Sequence, residues 1–239
     1  MELRKSILIR IRITMGVSKI FSRSTRIRIN FQQIYQNNEC NTLNSTKRRA
    51  HNQAVSFGET TVVRFPTLSS KLVKLRQLRS NDIPTMRRLV TSEITKYLVH
   101  VPYPYKTEDA RMFVNKSRRY SKSRNELIFG IELVHTSSLV GIISLQKIEN
   151  VSKNAQIGYW VGKKYWNAGI ATESIRLLIR YAFQILRLHK VYANVLVTNK
   201  ASIHVLEKNG MKKEGLLKDS VYKDHKFYDV ALFYRLNRT

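Results

Sequence analysis

Ala171, Ile175, Leu178, Ile179, Ala182, Phe183 and Leu186 fall at i, i+4, i+7, i+8, i+11, i+12 and i+15, one continuous apolar stripe down a helical face. The segments on either side have a different texture. Residues 156–161 before it and 190–197 after it read as strands, the second with Val191, Ala193, Val195 and Val197 on one face. A stripe of that length has to be covered, and flanking strands predict that a sheet covers it.

Further elements extend the pattern both ways. Residues 72–78 alternate like a half-buried strand. Ser80, Asn81 and Asp82 offer caps for a helix running to about residue 96, and Thr107-Glu108-Asp109 opens another with acids in its first turn. The apolar runs 127–134 and 139–146 form a hairpin around His135-Thr136-Ser137-Ser138. Asn199 caps a short helix that stops at Asn209-Gly210, and strands 211–217 and 227–234 close the chain. The order β-α-α-β-β-β-α-β-α-β-β predicts a mixed α/β domain over 71–239, with a central sheet of about six to seven strands flanked by helices.

Residues 1–70 show no sustained period. Arg, Ser, Asn and Gln dominate after a brief alternation at residues 7–13, so this stretch reads as a basic extension: a disordered tail, a targeting peptide, or sequence ahead of a true start at Met15. The 239 residues carry 43 Lys and Arg against 16 Asp and Glu, a net charge of +27. The extension holds +9 of it and the remainder +18, so the field is spread over the chain and attracts polyanions without naming one. The single cysteine, Cys40, excludes a disulfide framework and a cysteine-based zinc site; no metal is expected. No apolar run approaches the roughly 18 residues of a membrane span. A cytoplasmic location is expected, or a mitochondrial or plastid matrix if the extension is a transit peptide.

Chemistry concentrates at the junction 159–173. A strand leads through a basic loop into a Gly- and Ala-bearing turn and then the striped helix. The first amides of a helix have no internal partners and sit at its positive end, and small residues at 168, 169 and 171 let an anion reach them. On composition alone this is a weak signal, because a glycine before a helix also makes an ordinary turn. The segment is neither a Walker loop nor a G-x-G-x-x-G fingerprint.

Tyr165-Trp166-Asn167-Ala168-Gly169-Ile170-Ala171-Thr172-Glu173 resembles the acetyl-CoA loop of the GNAT N-acetyltransferases, closest to the branch of the ribosomal-protein-alanine N-acetyltransferases. The likeness continues through Asn199-Lys200-Ala201-Ser202 and residues 207–215, and upstream through residues 75–78, Asp82 and residues 105–110. It covers about residues 72–236. The resemblance implies a GNAT-like fold with strands splayed at the acetyl-CoA site. It implies that amides of Asn167, Ala168, Gly169, Ile170, Ala171 and Thr172 bind the pyrophosphate. Tyr159, Trp160 and Val161 would hold the thioester, a backbone N–H polarising its carbonyl. Asn199 would meet the pantetheine arm or adjacent backbone, and Ser202 would protonate the departing thiolate. Asn199 and Ser202 also read as a helix cap and a first-turn polar residue.

The implied activity is acetyl transfer from acetyl-CoA to a primary amine by direct attack, with a protein N-terminal α-amine of ribosomal-protein type as acceptor and ribosome association as a corollary. Two alternatives stand beside it: a basic ribosome- or RNA-binding protein on a degenerate acetyltransferase scaffold, and a small-amine acetylase for polyamines or aminoglycosides. One departure bears on all three. Many relatives have Glu where this chain has Gln156, and Gln is no base. Glu132 on a neighbouring strand is a substitute, or a mid-strand Glu facing solvent. Lys163, Lys164 and Arg176 flank the loop as phosphate-steering or solvated cations. Tyr103, Tyr105, Tyr222 and Tyr228 are candidates for an acceptor groove, with Tyr222 and Tyr228 alternatively covering a sheet.

Overall fold

The computed structural model describes residues 65–123 and 125–238; of the extension expected over 1–70, residues 1–64, with Met15 and Cys40, lie outside the described residues. Eight strands form one sheet in the order β1-β2-β3-β4-β5-β6-β8-β7. They are β1 (Leu68–Ser69), β2 (Val73–Gln77), β3 (Leu127–Leu133), β4 (Leu139–Glu149), β5 (Asn154–Val161), β6 (Lys190–Leu196), β7 (Lys212–Lys223) and β8 (Lys226–Leu236). All neighbours pair antiparallel except β5 and β6, which run parallel. The striped helix, α4 (Ile170–Gln184), makes the crossover that a parallel pair requires. The α/β class and the central mixed sheet are as read from the sequence.

Two layers cover the sheet. Ile175, Leu178, Ile179 and Ala182 of α4 are buried against Phe129, Ile143, Ile157 and Val191 on one face. On the other, Met86 of α1 (Ile83–Leu89) and Ala110 and Val114 of α3 (Thr107–Ser123) pack with Leu78, Ile128, Ile142 and Trp160. Strand alternation makes both faces apolar, which accounts for β3 being buried throughout.

Three details differ from expectation. The sheet gains a strand, because Leu68 and Ser69 pair with Leu75 and Lys74 ahead of residue 71. Phe65 joins the core there, its ring 4.9 Å from Phe129. The single helix expected to residue 96 is broken into a 3-10 turn (Ser80–Asp82), α1 and α2 (Ser92–Thr95). Val90 and Thr91, two β-branched residues, are extended at the break, and Val90 is buried by it. β7 and β8 also run longer, because Asp224 and His225 both adopt positive φ and turn the chain in two residues without a glycine.

The feature that creates a site is the junction of β5 and β6. Their ladder has only three rungs, Asn154 with Lys190, Ala155 with Val191 and Gln156 with Tyr192. Beyond Gln156 the strands diverge, while each keeps its outer partner to the end: Val161 with Gly141, and Leu196 with Val230.

Candidate active site

Gly162 N–H donates to Val140 O on the β4 side at 2.8 Å. Successive strand amides alternate in direction, so the N–H groups of Tyr159 and Val161 point the other way, into the gap left by β6. The gap opens into a cleft of about 1740 Å³ lined by Gln156, Tyr159, Trp160, Val161, Asn194, Val195, Asn199 and Ser202, among others.

The loop at the mouth is held locally. After Val161 the chain makes a 3-10 turn (Lys163–Tyr165), and Trp166 Nε1 donates back to Val161 O at 2.7 Å. Asn167 (φ 60°) and Gly169 (φ 74°) are left-handed, and Gly169 stands at the N-cap of α4 with no side chain to offer. The first helical bond is Glu173 N–H to Gly169 O, so the amides of Ile170, Ala171 and Thr172 precede the ladder. A Cβ built on Gly169 meets nothing within 4 Å, so the space beside the start of the helix is open there. Asn167, Gly169, Ile170, Ala171 and Thr172 line the cleft, whereas Ala168 is exposed beside it. This chemistry suits a phosphate group: N–H donors ahead of the ladder at a helix's positive end, with no carboxylate among the described residues lining the cleft beside them.

Deeper in the cleft, the Tyr159 hydroxyl lies 2.7 Å from Ser202 Oγ, and Asn199 Oδ1 accepts Ser202 N–H at 3.1 Å. Asn199 is therefore the N-cap of α5 (Lys200–Lys208) and a wall of the cleft at once. Burial pushes the Tyr159 phenol up to about 12, against the lowering effect of its Ser202 hydrogen bond. Tyr159 keeps its proton at neutral pH, and either hydroxyl of the pair is able to donate to the other.

Residues 73–212 match the family described as "Acetyltransferase (GNAT) domain". The chain belongs to the GNAT acetyltransferases. "Probable N-acetyltransferase YjcK" of Bacillus subtilis is 37% identical over 111 residues, a match spanning 46% of this chain and 61% of that protein. "Putative ribosomal N-acetyltransferase YdaF" of the same organism is 30% identical, covering 70% of this chain and 92% of the relative. Among solved structures, spermidine N-acetyltransferase from Vibrio cholerae in complex with CoA and spermine shares 25% identity at a TM-score of 0.61, covering 70% and 96% of the two chains. The chain is thus a GNAT acyltransferase that uses acetyl-CoA, in a family whose relatives are named for ribosomal and for polyamine acceptors.

Other residues singled out in this GNAT chain fall elsewhere. Glu132 is neither a cleft base nor a solvent-facing acid. It is 6% exposed and ion-paired to Arg76, which also grips Asp82 through two contacts of 2.8 Å. Lys163 pairs with Glu93, Lys164 lies 4.8 Å over the Tyr165 ring, and Arg176 pairs with Glu173. Tyr222 lines the cleft at the far hairpin, Tyr105 packs beneath α3, and Tyr103 is exposed. Among the described residues no group of three or more His, Cys, Asp or Glu is placed to hold a metal, and no helix is long and apolar enough to cross a membrane. The Tyr159 hydroxyl was not legible in advance. It lies 43 residues from Ser202, and no local spacing links a strand tyrosine to a helix serine.

Proposed function

We propose that this GNAT acyltransferase moves the acetyl group of acetyl-CoA to a protein N-terminal α-amine of ribosomal-protein type, by direct attack. The observation that carries the reading is the convergence of two β5 amides, the open start of α4 and the Tyr159–Ser202 pair on one cleft. In this reading the α4 amides of Ile170 to Thr172 hold the pyrophosphate. The N–H of Tyr159 or Val161 donates to the thioester oxygen as it gains charge. A neutral amine attacks the carbonyl carbon, the C–S bond breaks, and the thiolate takes the Ser202 hydroxyl proton while Tyr159 donates to Ser202 Oγ. Gln156 removes the usual carboxylate from this position, so the attacking amine loses its proton to water.

A small-amine acceptor is the second reading, favoured by the likeness to a spermidine acetyltransferase. The basic residues 1–64 add to a net charge of +27 that favours an anionic host for the acceptor, such as a ribosome. The cytoplasm is the proposed site of action. An acetyl-CoA turnover assay against N-terminal peptides, polyamines and aminoglycosides tests the reading. Transfer to free N-terminal peptides is expected; acetyl-CoA binding without transfer to any amine would sink it in favour of a degenerate scaffold.

A further inference from the structure

Among the described residues lining the cleft there is one carboxylate, Glu126. It directly precedes β3, two positions from Ile128, which packs with Ile142 and Trp160 on the α1–α3 face of the sheet. Glu126 therefore shares that face. The register sets Leu127 opposite Leu145 and Gln146 opposite Gln156, which puts Glu126, Gln146 and Gln156 in one row across β3, β4 and β5. With neighbouring strands about 4.8 Å apart, Glu126 stands roughly 10 Å from Gln156 along that row. That is too far to take a proton from an amine attacking in the gap.

The surroundings of Glu126 are unusual for this chain. Asp82, Glu93, Glu132, Glu173, Glu214 and Asp229 each pair with a Lys or Arg. Glu126 is half-buried, yet no hydrogen bond or ion pair joins it to another described residue. Burial pushes its carboxyl up, while the charge of Lys116 on α3 pulls it down. Where cations outnumber acids 43 to 16, a half-buried acid on a cleft wall with no hydrogen bond or ion pair among the described residues carries a desolvation cost that the charge of Lys116 offsets only in part. A cationic ligand would offset it.

We propose that Glu126 is the subsite for a second positive charge on the acceptor, about 10 Å from the amine that is acetylated. The inference rests on the proposed acetyl transfer to amines. It selects acceptors that carry two cations: a peptide with Lys or Arg within about three residues of its N-terminus, or a polyamine. Either acceptor crosses a repulsive overall field to reach the cleft, where Glu126 is the one carboxylate among the described lining residues able to receive its second charge.

The test uses the full chain and two matched pairs of acceptors: spermidine against butylamine, and an Ala-Ala-Lys peptide against its Ala-Ala-Ala counterpart. Wild type is expected to favour the more highly charged member of at least one pair by about tenfold or more in kcat/KM, the scale of a hydrogen bond to a charged group. The pair that shows the preference identifies the source of the charge. Glu126→Gln should collapse that ratio toward one, with the loss in KM rather than kcat, and Glu126→Asp should keep an intermediate ratio. An unaltered ratio in Glu126→Gln overturns the inference, as does an equal loss on both members of a pair. Wild type that transfers acetyl without charge preference overturns it alone. Wild type that acetylates no amine overturns the function reading as well.

Discussion

Ser202 and Tyr159 meet through one 2.7 Å contact, so their contributions to turnover should not be independent. Ser202→Ala is expected to lower kcat by roughly 10²-fold or less while leaving acetyl-CoA affinity near the wild-type value, since a proton donor to the leaving thiolate acts in the transition state. Tyr159→Phe should act in the same direction and more weakly. Single-turnover rates for the two variants and their double variant check the coupling: a double loss little larger than that of Ser202→Ala supports one relay, and additive losses separate the groups. Gly169 calls for a different experiment. Its φ of 74° makes any side chain there strained by about 1–2 kcal/mol, and the open space before it is where an anion would approach. Calorimetry on Gly169→Val should show acetyl-CoA binding weakened roughly tenfold or more, the scale of one lost charge-assisted bond, with only a modest fall in melting temperature.

Between elements, the Arg76 cluster ties β2, the 3-10 turn and β3 together. Arg76, Asp82 and Glu132 are 5%, 6% and 6% exposed, so removing the cation strands two buried carboxylates. Arg76→Met should cost about 3–5 kcal/mol in a urea titration at pH 7. The pH dependence has a definite sign. Burial works against the Asp82 carboxylate, but the Arg76 hydrogen bond and the Arg79 N–H outweigh it and hold its pKa below the ordinary 3.8. That stabilisation is present above the unfolded-state pKa and is lost as pH falls through the lower folded value, so the gap between wild type and variant should narrow below about pH 4. A gap that stays constant to pH 2 would place the cost in packing instead. The same cluster shows where sequence reading stops. Asp82 was legible as a helix-opening residue, but its partner Arg76 lies in the preceding strand, and only the sheet brings Glu132 to both. The long stripe of α4, the glycine turn ahead of it and the succession of elements along the chain were legible because each repeats or punctuates locally. Strand β1 was not, since two residues carry no alternation, and the Asp224-His225 turn lacks the glycine that usually marks a two-residue hairpin.

Across the whole molecule, the described fold begins at Phe65, whose ring packs on Phe129 beneath β2 and β3. A chain starting at Arg64 should therefore bind acetyl-CoA and turn over a peptide at close to the full-length rate. One starting at Ser70 loses Phe65 and β1 and should melt several degrees lower, by an amount thermal unfolding will measure. Equal melting temperatures would reduce β1 to an ornament of the edge; an inactive Arg64 chain would make the extension part of the enzyme. The three-rung ladder between β5 and β6 has a broader consequence. A sheet ordinarily keeps its unfinished edges at the rims, but this one keeps a second edge at its centre. β1–β5 and β6–β8 are therefore two panels hinged at Gln156 and bridged by α4, and an amide-bearing ligand filling the gap would act as their clasp. Hydrogen exchange should find the β6–β8 panel opening as a unit at lower free energy than β3 and β4 in the free protein, and the two panels merging into one cooperative block once acetyl-CoA is bound.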